Sequence, residues 1–242
     1  MRALSFIVAA AALACLSAQA AELKQTKPIA PGIAAFPHLV EPPGDKAART
    51  INRALAGADA SVDGVASDCK HYKGWKRTVR VAMRGPKYLS LIANDDWYCG
   101  GTYPDTATTA LVFDLATGAP VDWKALFPVG LIGEAAVRPG GGVSDPILVD
   151  SKPLWELYAK LAAESGPADC GDVLADPGGR DARLQIWSDA AGDGIGLMAT
   201  ELPHAVKACG PEVVAPVAEL RKLGVSAELL DAIDEAHAQK LY

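Results

Sequence analysis

Thr78-Val79-Arg80-Val81-Ala82-Met83-Arg84-Gly85-Pro86-Lys87-Tyr88-Leu89-Ser90-Leu91-Ile92-Ala93 is the stretch whose pattern sets the architecture of this chain. Residues 78–83 alternate between apolar and polar with a period of two, the signature of a half-buried strand. Gly85-Pro86 is a turn signal, and Tyr88–Ala93 is the returning strand. A hairpin centred near Pro86 carries Cys99 back beside Lys73, a few residues from Cys69.

That geometry bears on the cysteines. Five are present, and Cys69, Cys99, Cys170 and Cys209 lie outside the N-terminal leader. Four cysteines allow three connectivities. No C-x-x-C pair occurs, which argues against a zinc site and against thioredoxin-like redox chemistry. The hairpin favours Cys69–Cys99, leaving Cys170–Cys209 to close a loop that holds a second hairpin, Leu184–Trp187 and Gly194–Ala199, turning at Asp189–Asp193.

The rest of the chain reads as short elements. Ala21–Pro43 is rich in proline and is expected to run as an extended arm or edge segment. Lys46–Ala58 places Ala48, Ile51, Leu55 and Ala58 on one helical face. Ala110–Leu115 reads as a strand, Thr117-Gly118 as a turn, Ala119–Asp122 as a short strand and Trp123–Phe127 as a helical turn. Ser151 caps a helix to about Glu164, Val213–Val217 is a strand, and Ser226 caps a final helix bearing Leu229, Leu230 and Ile233. Strands outnumber helices and their connections are short. The expected fold class is α+β: a mostly antiparallel sheet with flanking helices, stapled by disulfides, forming one domain over 44–242.

Export is the clearest local signal. Arg2, the apolar run Phe6–Leu16 and Ala18-Gln19-Ala20 have the charge, hydrophobicity and small residues of a signal peptide, Met1–Ala20. A lipoprotein signal through Cys15 fits less well, because Ala12 and the bulky Leu13 stand where Leu and a small residue are usual. The expected location is periplasmic or secreted. The 242-residue chain carries a formal charge of -6 and no basic run, which argues against nucleic acid as a partner. No apolar run reaches the length of a membrane span.

Chemistry is sparse. His38, His71, His204 and His237 are isolated, Gly142-Val143-Ser144-Asp145 lacks the closing glycine of a nucleophile elbow, and Gly192-Asp193-Gly194-Ile195-Gly196 is not a dinucleotide fingerprint. Asp189 and Asp193 lack EF-hand spacing. No metal or cofactor is expected. Asp95-Asp96 would point to opposite faces of a strand, which opposes shared acid–base work and leaves them as solvated loop acids.

Two stretches stand out: Asp96–Thr106 with Leu111–Gly118, and Ala199–Leu220. Gly100, Gly101, Pro104, Phe113, Asp114, Thr117 and Gly118 in the first, and Glu201, Leu202, Pro203, Ala208, Gly210, Glu212, Val213, Pro216, Glu219 and Leu220 in the second, carry the likeness. Together they resemble the RsiV-like C-terminal extracytoplasmic domain family, also found in the non-catalytic N-terminal region of PdaC-type polysaccharide deacetylases. The likeness spans about Arg84 to Leu223, with a looser likeness over Phe36–Cys69. Thr102-Tyr103 departs from the family's Ala-His, His204 and Val206 stand at usual tyrosines, and Cys99 and Cys209 are additions. The resemblance implies a domain exposed at the cell envelope with a lysozyme-like protein or a peptidoglycan-related glycan as partner. No sigma-binding segment or deacetylase motif accompanies it.

The segment Trp97–Asp105 is the candidate binding loop. Gly100 and Gly101 permit the turn, Pro104 stiffens its exit, and Trp97, Tyr98, Thr102, Tyr103 and Asp105 would be displayed, with Asp95 also at the rim. Trp97 and Tyr98 alternate, so one of them faces the core. Trp75, Trp123, Trp155 and Trp187 read as packing residues. A non-catalytic binding domain is the preferred function. The alternative is an envelope glycan hydrolase built from Asp95, Asp96 and Glu201.

Overall fold

The computed structural model describes residues 20–69, 71–132, 135–137, 146–165, 170–175, 183–200 and 202–242. The expected leader with Cys15, the 142–145 stretch and Glu201 lie outside them.

The strands are β1 (Leu23–Lys24), β2 (His38–Leu39), β3 (Trp75–Arg84), β4 (Tyr88–Trp97), β5 (Asp105–Asp114), β6 (Ala135–Val137), β7 (Leu148–Asp150), β8 (Leu184–Asp189), β9 (Gly194–Ala199) and β10 (Val213–Pro216). The helices are α1 (Lys46–Asp68), α2 (Trp123–Leu126), α3 (Val129–Ile132), α4 (Lys152–Ser165), α5 (Gly171–Ala175), α6 (Val217–Lys222) and α7 (Ala227–Ala238), with a 3-10 turn at His204–Cys209. Among the described residues the strands form three antiparallel sheets: β1-β2, β3-β4-β5, and β10-β9-β8-β7-β6. The α+β expectation holds.

β4 is the middle of everything. Tyr88 through Ala93 are all buried, because each face of the three-stranded sheet is covered. Leu89, Leu91, Leu111 and Phe113 pack against Phe36, Leu39 and the Ile51–Leu55 stripe of α1. On the other face Ile92, Ala110 and Val112 join the main core, which holds Trp187, Ile195, Leu197, Tyr158, Leu220 and Ile233. Burying both faces of an antiparallel strand explains a run with almost no polar interruption.

α1 runs ten residues past Ala58, to Asp68. Its buried stripe thins there but continues at intervals of four through Val62 and Ala66, which pack near Cys69 and Trp75. The Pro-rich segment is tied down by main-chain pairing of β1 with β2, and by Asn52, whose amide accepts from Leu39 N at 2.8 Å and donates to Leu39 O at 2.9 Å. Residues 119–122 form no strand, only a single bridge from Pro120 to Phe113. Ser151 caps α4 as expected, accepting from Leu154 N at 3.3 Å. Ser226 occupies the N-cap position of α7 without a side-chain bond; its carbonyl takes the Leu229 and Leu230 amides instead.

Both favoured disulfides are present. Cys69–Cys99 has Cα atoms 4.7 Å apart and Cys170–Cys209 has them 5.3 Å apart, within ordinary reach. The second hairpin forms as β8 and β9. Gly196 faces Trp187 across it, and a Cβ there would come within 2.0 Å of the indole. Asp189 in the turn is committed structurally: it accepts from Trp187 Nε1 at 3.0 Å, Arg80 Nη1 at 3.2 Å and Gly192 N at 2.9 Å. Trp75, Trp123, Trp155 and Trp187 are all buried.

Among the described residues, no helix is long and apolar enough to cross a membrane. No group of His, Cys, Asp and Glu among them is placed to hold a metal ion.

Candidate functional site

The hairpin register places Trp75 opposite Trp97, and the next strand places Asp105 opposite Trp97. These three side chains form a row across the end of the sheet. Trp75 and Trp97 stack with centroids 4.9 Å apart and planes 11° apart. Lys207 Nζ lies 6.0 Å from the Trp97 ring and pairs with Asp105 and with the Thr106 carbonyl. Trp97 is thus wedged between neighbours and half-buried, while the following Tyr98 is 46% exposed. The expected alternation resolves with Trp97 inward.

Tyr103 is 65% exposed and stacks on His204, with centroids 4.8 Å apart. That contact joins the 98–104 loop to the 3-10 turn, and each segment carries one half of a disulfide, Cys99 and Cys209. Thr102 is exposed at the loop tip. The Lys207 ammonium, with help from the Thr106 amide, holds the Asp105 carboxyl below the usual carboxylate range.

The opposite wall is built under strain. His71 and Tyr72 both adopt positive φ, 51° and 69°, a region that residues with a side chain seldom enter. Gly74 follows, and a Cβ there would meet the Tyr98 carbonyl at 2.4 Å. Only glycine lets the two backbones approach closely enough for Tyr98 N to donate to Gly74 O at 2.7 Å. Lys73, Lys76, Asp96, Tyr98 and Pro104 surround the open hollow between these walls. A second hollow, about 270 Å³ and open to solvent, runs along β5 past Thr106, Thr108, Gln185, Met198 and Leu202. The two share Trp97, Asp105 and Thr106.

Asp95 does not rim this site, nor is it a solvated loop acid. It is 5% exposed, accepts from Trp75 Nε1 at 2.6 Å and lies 3.8 Å from Arg77 Nε. Burial pushes its carboxyl up, against the Trp75 donor and the Arg77 charge. Arg77, itself 3% exposed, also sits 3.5 Å from Asp59 of α1 and 4.6 Å above the Phe36 ring. Asp59 accepts from Phe36 N at 3.1 Å. Asp96 is exposed on the other face of β4. Asp95 is therefore locked in an internal ion cluster, and Asp95 and Asp96 have no common substrate face.

Lys207 and His204 join the site without having been marked in the sequence. About a hundred residues separate them from the loop they complete. The signal available was that both disulfide-bearing signatures belong to one resemblance.

No protein-family profile matches the chain. No curated protein matches it either. Solved structures do: the chain is similar to DUF3298 family proteins. One, from Bacteroides fragilis NCTC 9343, shares 13% identity over 88% of this chain and 94% of its own, with a TM-score of 0.48. Another, from Pseudomonas aeruginosa PAO1, shares 13% identity over 72% of this chain and 71% of its own, with a TM-score of 0.41.

Proposed function

We propose that this chain is an exported, RsiV-like, non-catalytic binding domain that engages a cell-envelope protein of lysozyme type, or a peptidoglycan-related glycan, through the cleft around Tyr98, Tyr103 and Asp105. One observation carries the reading: two exposed tyrosines sit on a loop held at both flanks, by Cys99 and by the Tyr103–His204 stack. Exposed aromatics cost hydration, and rigid ones lose little entropy on binding, so they act as anchors. The sequestration of Asp95 works against the hydrolase alternative.

Titration calorimetry of the chain from Ala21 onward with a c-type lysozyme and with chitohexaose tests this. Saturable binding of one of them, weakened at least about tenfold by Tyr103→Ala, is expected; that is about 1.4 kcal/mol. No binding of either ligand, or binding indifferent to Tyr103, would overturn it.

A further inference from the structure

Among the described residues β5 is an edge strand, and no other strand pairs with its outer edge near the cleft. Ala110 N donates to Gln185 Oε1 at 2.8 Å, so the even-numbered residues of β5 aim their N–H and C=O away from β4. Gln185 Nε2 donates to Thr108 O as well. A single side-chain amide on β8 thus takes the place of a neighbouring main chain, bonding a donor and an acceptor two residues apart. Beyond it no described residue pairs with the edge through its main chain. Thr106 and Ala107 are exposed, and among the described residues the Thr108 N–H has no partner and the Thr106 carbonyl accepts from the Lys207 ammonium alone.

We propose that this edge accepts an extended, acidic peptide segment of a protein partner as an added antiparallel strand opposite Ala107. This deepens the reading of the cleft as a binding site, and rests on it, by assigning the partner's contact to a peptide. A residue facing Ala107 would have its preceding carbonyl accept from Thr108 N–H and its following N–H donate to Thr106 O, displacing Lys207. Alternating amide donors and acceptors are what a main chain supplies and a saccharide does not. Half-buried Met198 and Leu202 line the hollow beside the edge, offering room to an apolar side chain. The charge is complementary. The chain totals -6, yet around the mouth Lys73, Lys76 and Lys207 outnumber Asp96 and Asp105, Lys207 is paired with Asp105, and Lys73 makes no ion pair among the described residues. Lys207, displaced from Thr106, keeps its ion pair with Asp105 and can share its ammonium with a carboxylate on the incoming strand.

The test is selection from a random nonapeptide library displayed on phage, against the oxidised protein from Ala21 onward, followed by measurements on synthetic binders. Expected binders carry Asp or Glu, slow hydrogen exchange of the Thr108 amide at least tenfold, and lose at least tenfold affinity when the amide facing Thr106 is N-methylated. Thr108→Pro removes the outward donor and spares the main-chain ladder to β4, losing there only the Thr108 Oγ1 bond to Asn94 Oδ1, and should abolish binding while Tyr103→Ala only weakens it. Should Thr108→Pro fail to fold, the exchange measurement on the unsubstituted protein decides. Recovery of no binder, or binders that leave Thr108 exchange unchanged, overturns strand addition. If such binders still depend on Tyr103, the aromatic cleft stands and only the pairing falls. Protection of Thr108 by chitohexaose in place of peptides also overturns it.

Discussion

Asp105, at the start of β5, and Lys207, in the 3-10 turn, lie 102 residues apart in the chain and meet as an ion pair at the mouth of the cleft. The pair links the two disulfide-stapled segments. It fixes the gap between the exposed loop and the turn beneath it, and so the shape of the cleft.

Lys207→Met keeps the stem and removes the charge. The Asp105 carboxyl, now titrating below its ordinary range, should move upward in the variant, as followed by carbon-13 carboxyl shifts. Because the folded value is depressed, the pair's stabilisation is present above the unfolded carboxylate range and fades as pH falls through the folded value. The side chains are about 34% and 45% exposed, so the stability change should be under about 1 kcal/mol. An Asp105 titration identical in both proteins would show that the ion pair does not form in solution.

Tyr103→Ala should leave urea stability within about 0.5 kcal/mol, since the ring is mostly in water. A loss of about 3 kcal/mol or more would mark the ring as a core element and remove it from the proposed binding surface.

The disulfides close loops of 30 and 39 residues. In the chain-entropy description each contributes about 4 kcal/mol, so replacing either pair by alanines should lower the melting temperature by many degrees. The pairs should differ in local effect. Loss of Cys69–Cys99 should speed amide exchange at Tyr98 and Gly101, and loss of Cys170–Cys209 should do so at Lys207. Peptide mapping that joins Cys69 to Cys170 or Cys209 would reject the connectivity.

Asp59 supplies a pH test. Burial pushes its carboxyl up to about 6, against the pull of Arg77 and the Phe36 amide. A raised folded value means that the native state holds the proton more tightly, so this group's contribution to stability falls as pH rises from about 4 to about 6. The upper limit is about 3 kcal/mol, reduced by the carboxyl's residual contact with water. Asp59→Asn should shrink the stability difference between pH 4.5 and pH 7.5, measured by urea unfolding. An unchanged difference would assign the dependence elsewhere.

Much of this fold is legible residue by residue, where local pattern and burial coincide. The alternation of Thr78–Met83 and the turn at Gly85-Pro86 give β3 and β4, and from them follows the Cys69–Cys99 pairing. Pattern reading stops α1 at Ala58 because the buried stripe narrows, and burial by a non-local partner, Trp75 with Cys69, carries the helix on to Asp68. Asp95 is misread for the same reason. Adjacent acids suggest solvent, and nothing near them in sequence announces that Arg77 and Trp75 close over one of the two. Within the cleft, Tyr98, Thr102, Tyr103 and Asp105 come from one continuous loop and are readable together. Lys207 and His204 arrive by tertiary packing, which no spacing rule encodes.

The double burial of β4 has a consequence for the order in which the molecule can be made. A chain emerging from its N-terminus first can complete Leu23 through Asp114: the wrapped segment, α1, three strands and one disulfide. Its remaining face, with Tyr88, Ile92, Ala110 and Val112, is then covered only in part, by Val121, Trp123 and Phe127, until the strands and helices beyond Pro146 arrive. During that interval the nascent protein presents an apolar sheet surface of the kind that holdase chaperones bind, and a chain cut short near Asp122 should need such an escort to stay in solution.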